Sequence, residues 1–143
     1  MKVLHPSKKI DFKIQENITA RADGPMIRIA LVNLIDNAMK YTPEGGSISF
    51  RAQRQKEWML LQVNDTGQGI SSTELPRITE RFYRVDRARS REEGGTGLGL
   101  SIVKHLVQLL GGQLRIQSEL GKGTSIEIDL PVPPGEKTPS ATL

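Results

Sequence analysis

The chain has 143 residues, 36% of them hydrophobic and 25% charged. That length and balance fit one soluble globular domain and argue against wholesale disorder. There is no cysteine, which excludes a disulfide scaffold, a thiolate zinc site and a cysteine nucleophile. Two histidines, His5 and His105, are too few for a histidine-rich metal centre. No apolar run approaches the roughly 20 residues that cross a bilayer, and Met1–Pro6 has no stretch of signal-peptide length. The expectation is a cytoplasmic chain with no membrane insertion of its own, which leaves room for a parent protein attached to the inner face of the cell membrane.

Net charge is +4, from 20 basic and 16 acidic residues. The excess sits in one place. Residues 76–91 hold Arg77, Arg81, Arg84, Arg87, Arg89 and Arg91 against Glu80 and Asp86. Such a cluster fits an anionic partner: a phosphate, an acidic protein face or nucleic acid. A solvated basic loop is the plain alternative. Aromatic residues are only 4% of the chain, so base-stacking platforms are scarce and a nucleic-acid-binding role is disfavoured.

In chain order, Lys9–Ile14 alternates and predicts a strand, with Ile10, Phe12 and Ile14 on one face. Ile18–Ala22 is a second, shorter strand candidate. Asp23-Gly24-Pro25 is a helix-start signal. The helix it opens runs to about Tyr41, with Ile27, Leu31, Leu34 and Ala38 as its apolar stripe. Pro43–Gly46 turns the chain. Ser47–Arg54 and Trp58–Asn64 read as an antiparallel strand pair. Residues 65–95 are polar and glycine-rich, with a short helical candidate at Ser72–Arg84; a stretch of this kind is functional or disordered. Helical periodicity resumes near Gly97, with Ile102, Val103, Leu106, Leu109 and Leu110 on one side, and Gly111-Gly112 stops it. Gln113–Ser118 and Thr124–Leu130 are two further strands. The domain is expected to span residues 1–131, with residues 132–143 a mobile tail. The fold class is α+β: one mixed sheet with helices on one face.

Four features carry chemistry. Asn33, Asn37, Lys40 and Tyr41 form a polar strip bordering the apolar stripe of the first helix. Asparagine costs helix propensity, and its carbonyl oxygen suits a hard cation such as Mg²⁺ while the lysine suits phosphate. Asp65-Thr66-Gly67-Gln68-Gly69-Ile70 follows a strand directly. A carboxylate there can accept from an amine deep in a pocket, and the glycines admit a planar ligand; taken alone, the run reads better as an ordinary Asp/Gly turn. Gly94-Gly95-Thr96-Gly97-Leu98-Gly99-Leu100 runs into a helix N-terminus, which offers free N–H groups to phosphate. It is neither the Walker-type loop nor a dinucleotide fingerprint. Gly121-Lys122-Gly123-Thr124 needs no function as a hairpin turn.

Together and in this order, the four features resemble the catalytic ATP-binding domain of sensor histidine kinases. Asn33–Thr42 is similar to the N box, Asp65–Gly69 to the G1 box, Glu80–Asp86 to the F box, Gly95–Leu100 to the G2 box and Gly121–Thr124 to the last glycine motif. The run Arg81–Arg91 most resembles phosphate-regulon sensor kinases. The resemblance implies a Bergerat-type α/β sandwich that binds ATP with Mg²⁺. It implies Asn37 as the Mg²⁺ ligand, Asn33 near the phosphates, Lys40 on phosphate and Tyr41 packed on adenine. Asp65 accepts the adenine amino group, and Gly67 and Gly69 allow close approach to the base. Ile70, Thr96, Leu98 and Leu100 fall among the nucleotide-binding positions. Gly95, Gly97 and Gly99 hinge a lid that is expected to be mobile, and Phe82 anchors it. Arg84 meets charge on the γ-phosphate, and Thr124 supports the base-side pocket. The implied reaction is transfer of the γ-phosphoryl group to a histidine on a separate dimerisation domain, with a response regulator downstream. The isolated domain is expected to be monomeric. Neither His5, beside Pro6, nor His105, expected to pack at the boundary of its helix, fits the acceptor. The alternatives are an ATPase of the same superfamily or an anti-sigma-type serine kinase.

Overall fold

A computed structural model describes residues 2–5, 8–15, 24–81, 83 and 99–132. Six strands form one mixed sheet: β1 (Lys2–His5), β2 (Lys8–Ile14), β3 (Ser47–Gln55), β4 (Trp58–Asp65), β5 (Gln113–Glu119) and β6 (Gly123–Pro131). Their order across the sheet is β1-β2-β3-β4-β6-β5. The β2–β3 pair is parallel and the rest are antiparallel. Among the described residues there are two α-helices, α1 (Gly24–Tyr41) and α2 (Gly99–Leu109). A parallel pair needs a crossover, and α1 supplies it between β2 and β3. The α+β class with one mixed sheet is as the sequence indicates. The strand candidate Ile18–Ala22 and residues 133–143 lie outside the described residues; Val132, expected to open the mobile tail, is instead buried in the core cluster and donates its N–H to the Glu57 carbonyl at 2.6 Å.

The core has one face. Period-2 alternation sends Ile48, Phe50 and Ala52 of β3, Met59, Leu61 and Val63 of β4, and Ile126, Ile128 and Leu130 of β6 to the same side of the sheet. There they meet Ile27, Leu34 and Ala38 of α1 and Val103 and Val107 of α2 in a single apolar cluster. Phe12 and Phe50 pack with ring centroids 5.9 Å apart. The opposite face is polar. Arg115 of β5 forms ion pairs there with Glu127 and Asp129 of β6, and Gln62 donates to Glu127 at 2.8 Å.

Both helices sit in a phase slightly different from the sequence expectation. In α1 the buried stripe is Ile27, Ala30, Leu34 and Ala38, with Leu31 only half-buried at its flank. In α2 it is Val103 and Val107, flanked by Leu100 and Leu110. Ile102 and Leu109 face outward, 38% and 63% exposed, and His105 is exposed rather than packed at the boundary. The apolar residues of α2 occupy more than half its circumference, so periodicity alone leaves the phase open. Its end is a Schellman motif: the Gly112 N–H bonds the Val107 carbonyl, the Gly111 N–H bonds that of Gln108, and Gly111 has φ 74°. The helix expected over Ser72–Arg84 reduces, among its described residues, to one 3-10 turn, Leu75–Arg77. Pro76 supplies no N–H and disfavours α geometry in the residue before it. Ser71 also draws Glu74 into a local bond with its hydroxyl.

Candidate functional site

Three segments converge at one end of the sheet, on its helix-bearing side. Strand β4 ends at Asp65, whose partner across β6 is Thr124. Opposed residues share a face, so both lie on the side of Ile48 and Ile126. Asp65 is half-buried. Its Oδ1 accepts the Gly67 N–H at 2.8 Å, and the Thr124 N–H also reaches its carboxylate.

Glycines set how closely these segments approach. A Cβ on Gly67 would lie 2.6 Å from the Tyr41 carbonyl oxygen, so the loop after β4 is pressed onto the end of α1. A Cβ on Gly69, at φ 75°, would lie 2.1 Å from the Glu119 carbonyl. One on Gly123 would lie 2.0 Å from the Asp65 carbonyl. These are backbone-to-backbone approaches that no side chain can fill. The β5–β6 turn is further tied to the loop by the Gly121 N–H, which donates to the Gln68 carbonyl at 2.8 Å. Ser118 Oγ accepts the Ile70 N–H at 2.8 Å.

The polar strip of α1 borders this junction. Asn33, Asn37, Lys40 and Tyr41 are all half-buried. Asn33 donates back to the Ile29 carbonyl at 2.8 Å. Its Oδ1 faces the start of α2, 3.4 Å from where a Cβ on Gly99 would sit. Lys40 pairs with Asp36 at 3.1 Å. The structure therefore brings Asp65, Gly67, Gly69, Ile70 and Thr124 together with the Tyr41 backbone, and sets Asn33 against Gly99, which with Leu100 opens α2; Asn37 and Lys40 lie on α1 between these two approaches. Phe82, Arg84, Gly95, Thr96, Gly97 and Leu98 lie outside the described residues. Two residues here are missed by motif reading. Asp36 is marked only by its i,i+4 spacing from Lys40. Ser118 is marked only as a hydroxyl following Leu114 and Ile116 on the buried side of β5.

The arginine-rich segment is partly accounted for by its own contacts. The Arg77 guanidinium lies 4.6 Å from the Tyr83 ring centroid and pairs with Glu80 at 3.2 Å, while the Tyr83 hydroxyl donates to Glu74 at 3.1 Å. On the other side of the sheet, a hollow of about 260 Å³ reaches the far side of Asp65 between Lys9, Asp11, Ser49 and Asn64.

The donor set fits a purine nucleotide and Mg²⁺. A carboxylate in a glycine-walled recess accepts an amino group, and amide oxygens with an ammonium suit phosphate oxygens and a cation. Among the described residues no group of three or more His, Cys, Asp or Glu is placed to hold a metal alone. Mg²⁺ takes few protein oxygens and completes its shell with substrate phosphates and waters, so an amide oxygen beside nucleotide phosphates is compatible with it.

Residues 22–134 match the family of histidine kinase-, DNA gyrase B- and HSP90-like ATPases. The chain belongs to that family, and within it to the catalytic ATP-binding domains of sensor histidine kinases. It is 45% identical over 111 residues to the sensor histidine kinase WalK of Bacillus subtilis (strain 168), a match covering 76% of this chain and 18% of WalK. Among solved structures it is similar to a mycobacterial sensor histidine kinase, MprB, with TM-score 0.69, 34% identity, and 85% and 81% of the two chains covered. It is also similar to full-length ShkA in complex with AMPPNP, with TM-score 0.73, 29% identity, and 87% of this chain and 25% of ShkA covered. Among the described residues no helix is long and apolar enough to cross a membrane.

Two outcomes follow from the geometry. Gly69→Ala combines a left-handed backbone with an overlap on Glu119, so it destabilises by more than about 3 kcal/mol. Gly121→Ala, also left-handed at φ 80° but in open space, costs only roughly 1–2 kcal/mol. Urea denaturation of the two variants measures the contrast.

The second concerns pH. Burial raises the Asp65 carboxyl above its ordinary 3.8, and the N–H groups of Gly67 and Thr124 only partly offset this. The native chain then holds this proton more tightly than the unfolded one, so Asp65's contribution to stability is present below pH 3.8 and is lost as pH rises through the raised value. Asp65→Asn is therefore more stable than wild type at neutral pH, and the gap closes on acidification. Denaturation at neutral and acid pH checks the sign.

Proposed function

We propose that this chain binds Mg-ATP at the junction of α1, the loop after β4 and the β5–β6 turn, and serves as the phosphoryl-donating module of a sensor histidine kinase. The observation that carries the reading is the half-buried Asp65 carboxylate, held by the Gly67 N–H in a recess walled by glycines. Such a carboxyl oxygen in a half-buried recess is an acceptor, and an adenine amino group is the complementary donor.

In this reading Asp65 accepts the adenine amino group and Thr124 lines the base side. Gly67, Gly69 and Ile70 form the wall along the base, and Tyr41 packs on it. Asn37 holds Mg²⁺ through its side-chain oxygen, with Asn33 beside the phosphates. Lys40 exchanges Asp36 for a phosphate oxygen. An exposed i,i+4 pair is worth only about 0.3–0.5 kcal/mol, so that exchange costs little. By the family resemblance Gly95, Gly97 and Gly99 hinge a lid and help cradle the phosphates, Phe82 anchors it, Thr96, Leu98 and Leu100 are nucleotide-binding positions, and Arg84 is the candidate to meet charge on the γ-phosphate. When bound, Mg-ATP supplies the phosphoryl group and the charge neutralisation that transfer requires. The chain contributes position and fixed donors.

The acceptor is a histidine on a separate dimerisation domain of the parent kinase, and a response regulator takes the phosphoryl group from it. The chain spans 18% of the length of WalK, so the parent is read as a larger protein. His105, exposed on α2, is not the acceptor. The kinase domain is read as extending through Val132, one residue beyond the boundary expected from sequence, because that side chain packs in the core.

Calorimetric titration of Mg²⁺ and a non-hydrolysable ATP analogue is expected to give saturable binding. In Asp65→Ala it weakens by roughly tenfold to a hundredfold, the worth of a charge-assisted hydrogen bond. Equal affinity in wild type and variant, both folded, would overturn the placement of the base.

A further inference from the structure

Strand β5 is an edge of the sheet, and among the described residues its one strand neighbour is β6. Natural edges are commonly blunted by proline, by inward charge or by a covering segment, because their outer N–H and C=O groups can pair with another chain. The far end of β5 is tied down. Ser118 Oγ accepts the Ile70 N–H, and the Gly121 N–H just past the strand donates to the Gln68 carbonyl. The near end, Gln113–Ile116, holds no proline. Its side chains on the helix-bearing side are Leu114 and Ile116, both half-buried.

Beside that near end lies a groove of about 570 Å³, within the range of ligand sites. Leu114 and Ile116 form one wall, and Val107 of α2 with Leu75 and Pro76 of the 3-10 turn form the others. Leu114 and Ile116 are alternate residues of a strand, roughly 7 Å apart. A chain laid outside β5 as a strand repeats that spacing and sends every second side chain to the helix-bearing side. A helical occupant would bring no backbone donors or acceptors to the edge. The groove is also positive. Its charged lining residues among those described are Lys104 and Arg115, with no acid. Arg115 is answered on the opposite face by Glu127 and Asp129. Lys104, exposed on α2, forms no ion pair among the described residues.

We propose that this groove takes an extended peptide segment of a partner protein, added outside β5 as a further strand of the sheet. Its alternate apolar side chains enter between α2 and the 3-10 turn, and an acidic side chain pairs with Lys104. Backbone pairing at the edge gives affinity, and the side-chain pockets give selectivity. The groove shares no lining residue with the nucleotide junction, so the proposal does not depend on the Mg-ATP reading.

The test is selection of a phage-displayed random peptide library on the full chain, followed by fluorescence anisotropy with the resynthesised peptides. Enriched peptides are expected to carry apolar residues at every second position and an acid beside them. Lys104→Glu is expected to weaken such a peptide by about fivefold or more, the scale of one exposed ion pair turned repulsive. A lysine in place of the peptide's acid restores binding to that variant. Methylating alternate peptide N–H groups is expected to cost more than about tenfold in one of the two registers and little in the other, since only every second N–H of an added strand faces β5. No enrichment on the folded chain overturns the proposal. So do peptides with apolar residues three and four apart, which mark a helical occupant. Binding that neither methylated register weakens, or that folded Lys104→Glu leaves unchanged, overturns it equally. If Lys104→Glu does not fold, the methylated peptides decide on wild type alone.

Discussion

The contact on which the site depends is the backbone approach between the end of β4 and the start of β6. Gly123 lies so close to Asp65 that a Cβ there would stand 2.0 Å from the Asp65 carbonyl. That closeness lets the Thr124 N–H reach the Asp65 carboxylate and holds Asp65 on the helix-bearing side. It also sets where the β5–β6 turn falls, and so which backbone groups meet the loop after β4. Gly69 against Glu119, Gly121 bonded to Gln68 and Ser118 bonded to Ile70 all follow from it. Without the β4–β6 register, the glycine motifs would be separate turns with nothing to share.

The arrangement trades stability for binding. A carboxylate whose charge is disfavoured by burial, glycines held at positive φ, and a Thr42 hydroxyl buried without a partner among the described residues are all unfavourable in a purely structural domain. The apolar cluster between the sheet and the two helices offsets them. Because that cluster occupies one face, the polar residues of α1 can stand at its border, half in water, where a charged ligand can reach them. The pair of half-buried Lys40 with exposed Asp36 belongs to the same logic, since a lysine held weakly is available to a stronger anion.

Much of this was legible in the residues, for physical reasons. Strands β3, β5 and β6 alternate because one face is buried and the other is wet, β4 departs from this at Leu60, which is buried on the opposite face, and the bounds of β2 to β6 differ from expectation by one residue. Lys2–His5 is too short to carry such a signal and is a strand only through its pairing with β2. The stripe of α2 was misphased because Ile102, Leu106 and Leu109 compete with Val103 and Val107 for the inward side, and only packing against the sheet decides. Pro76 was the overlooked signal in the polar stretch. At the site, Asp65, Gly67, Gly69 and Thr124 read alone as ordinary turns, and they stand out only through the order of motifs shared with a known family. Asp36 and Ser118 do not stand out, because a serine in a strand and an acid on a helix are ordinary until their partners are known.

The central claim is that a nucleotide sits on the helix-bearing side of the sheet, at Asp65, and not in the polar hollow on its opposite side. Residue-level amide hydrogen exchange, with and without Mg²⁺ and a saturating non-hydrolysable ATP analogue, separates the two. The account predicts slowed exchange across residues 66–70 and 118–124, with the backbone around Lys9, Asp11 and Ser49 unchanged. Protection confined to Lys9, Asp11, Ser49 and Asn64, in a chain shown to bind the analogue, would contradict it.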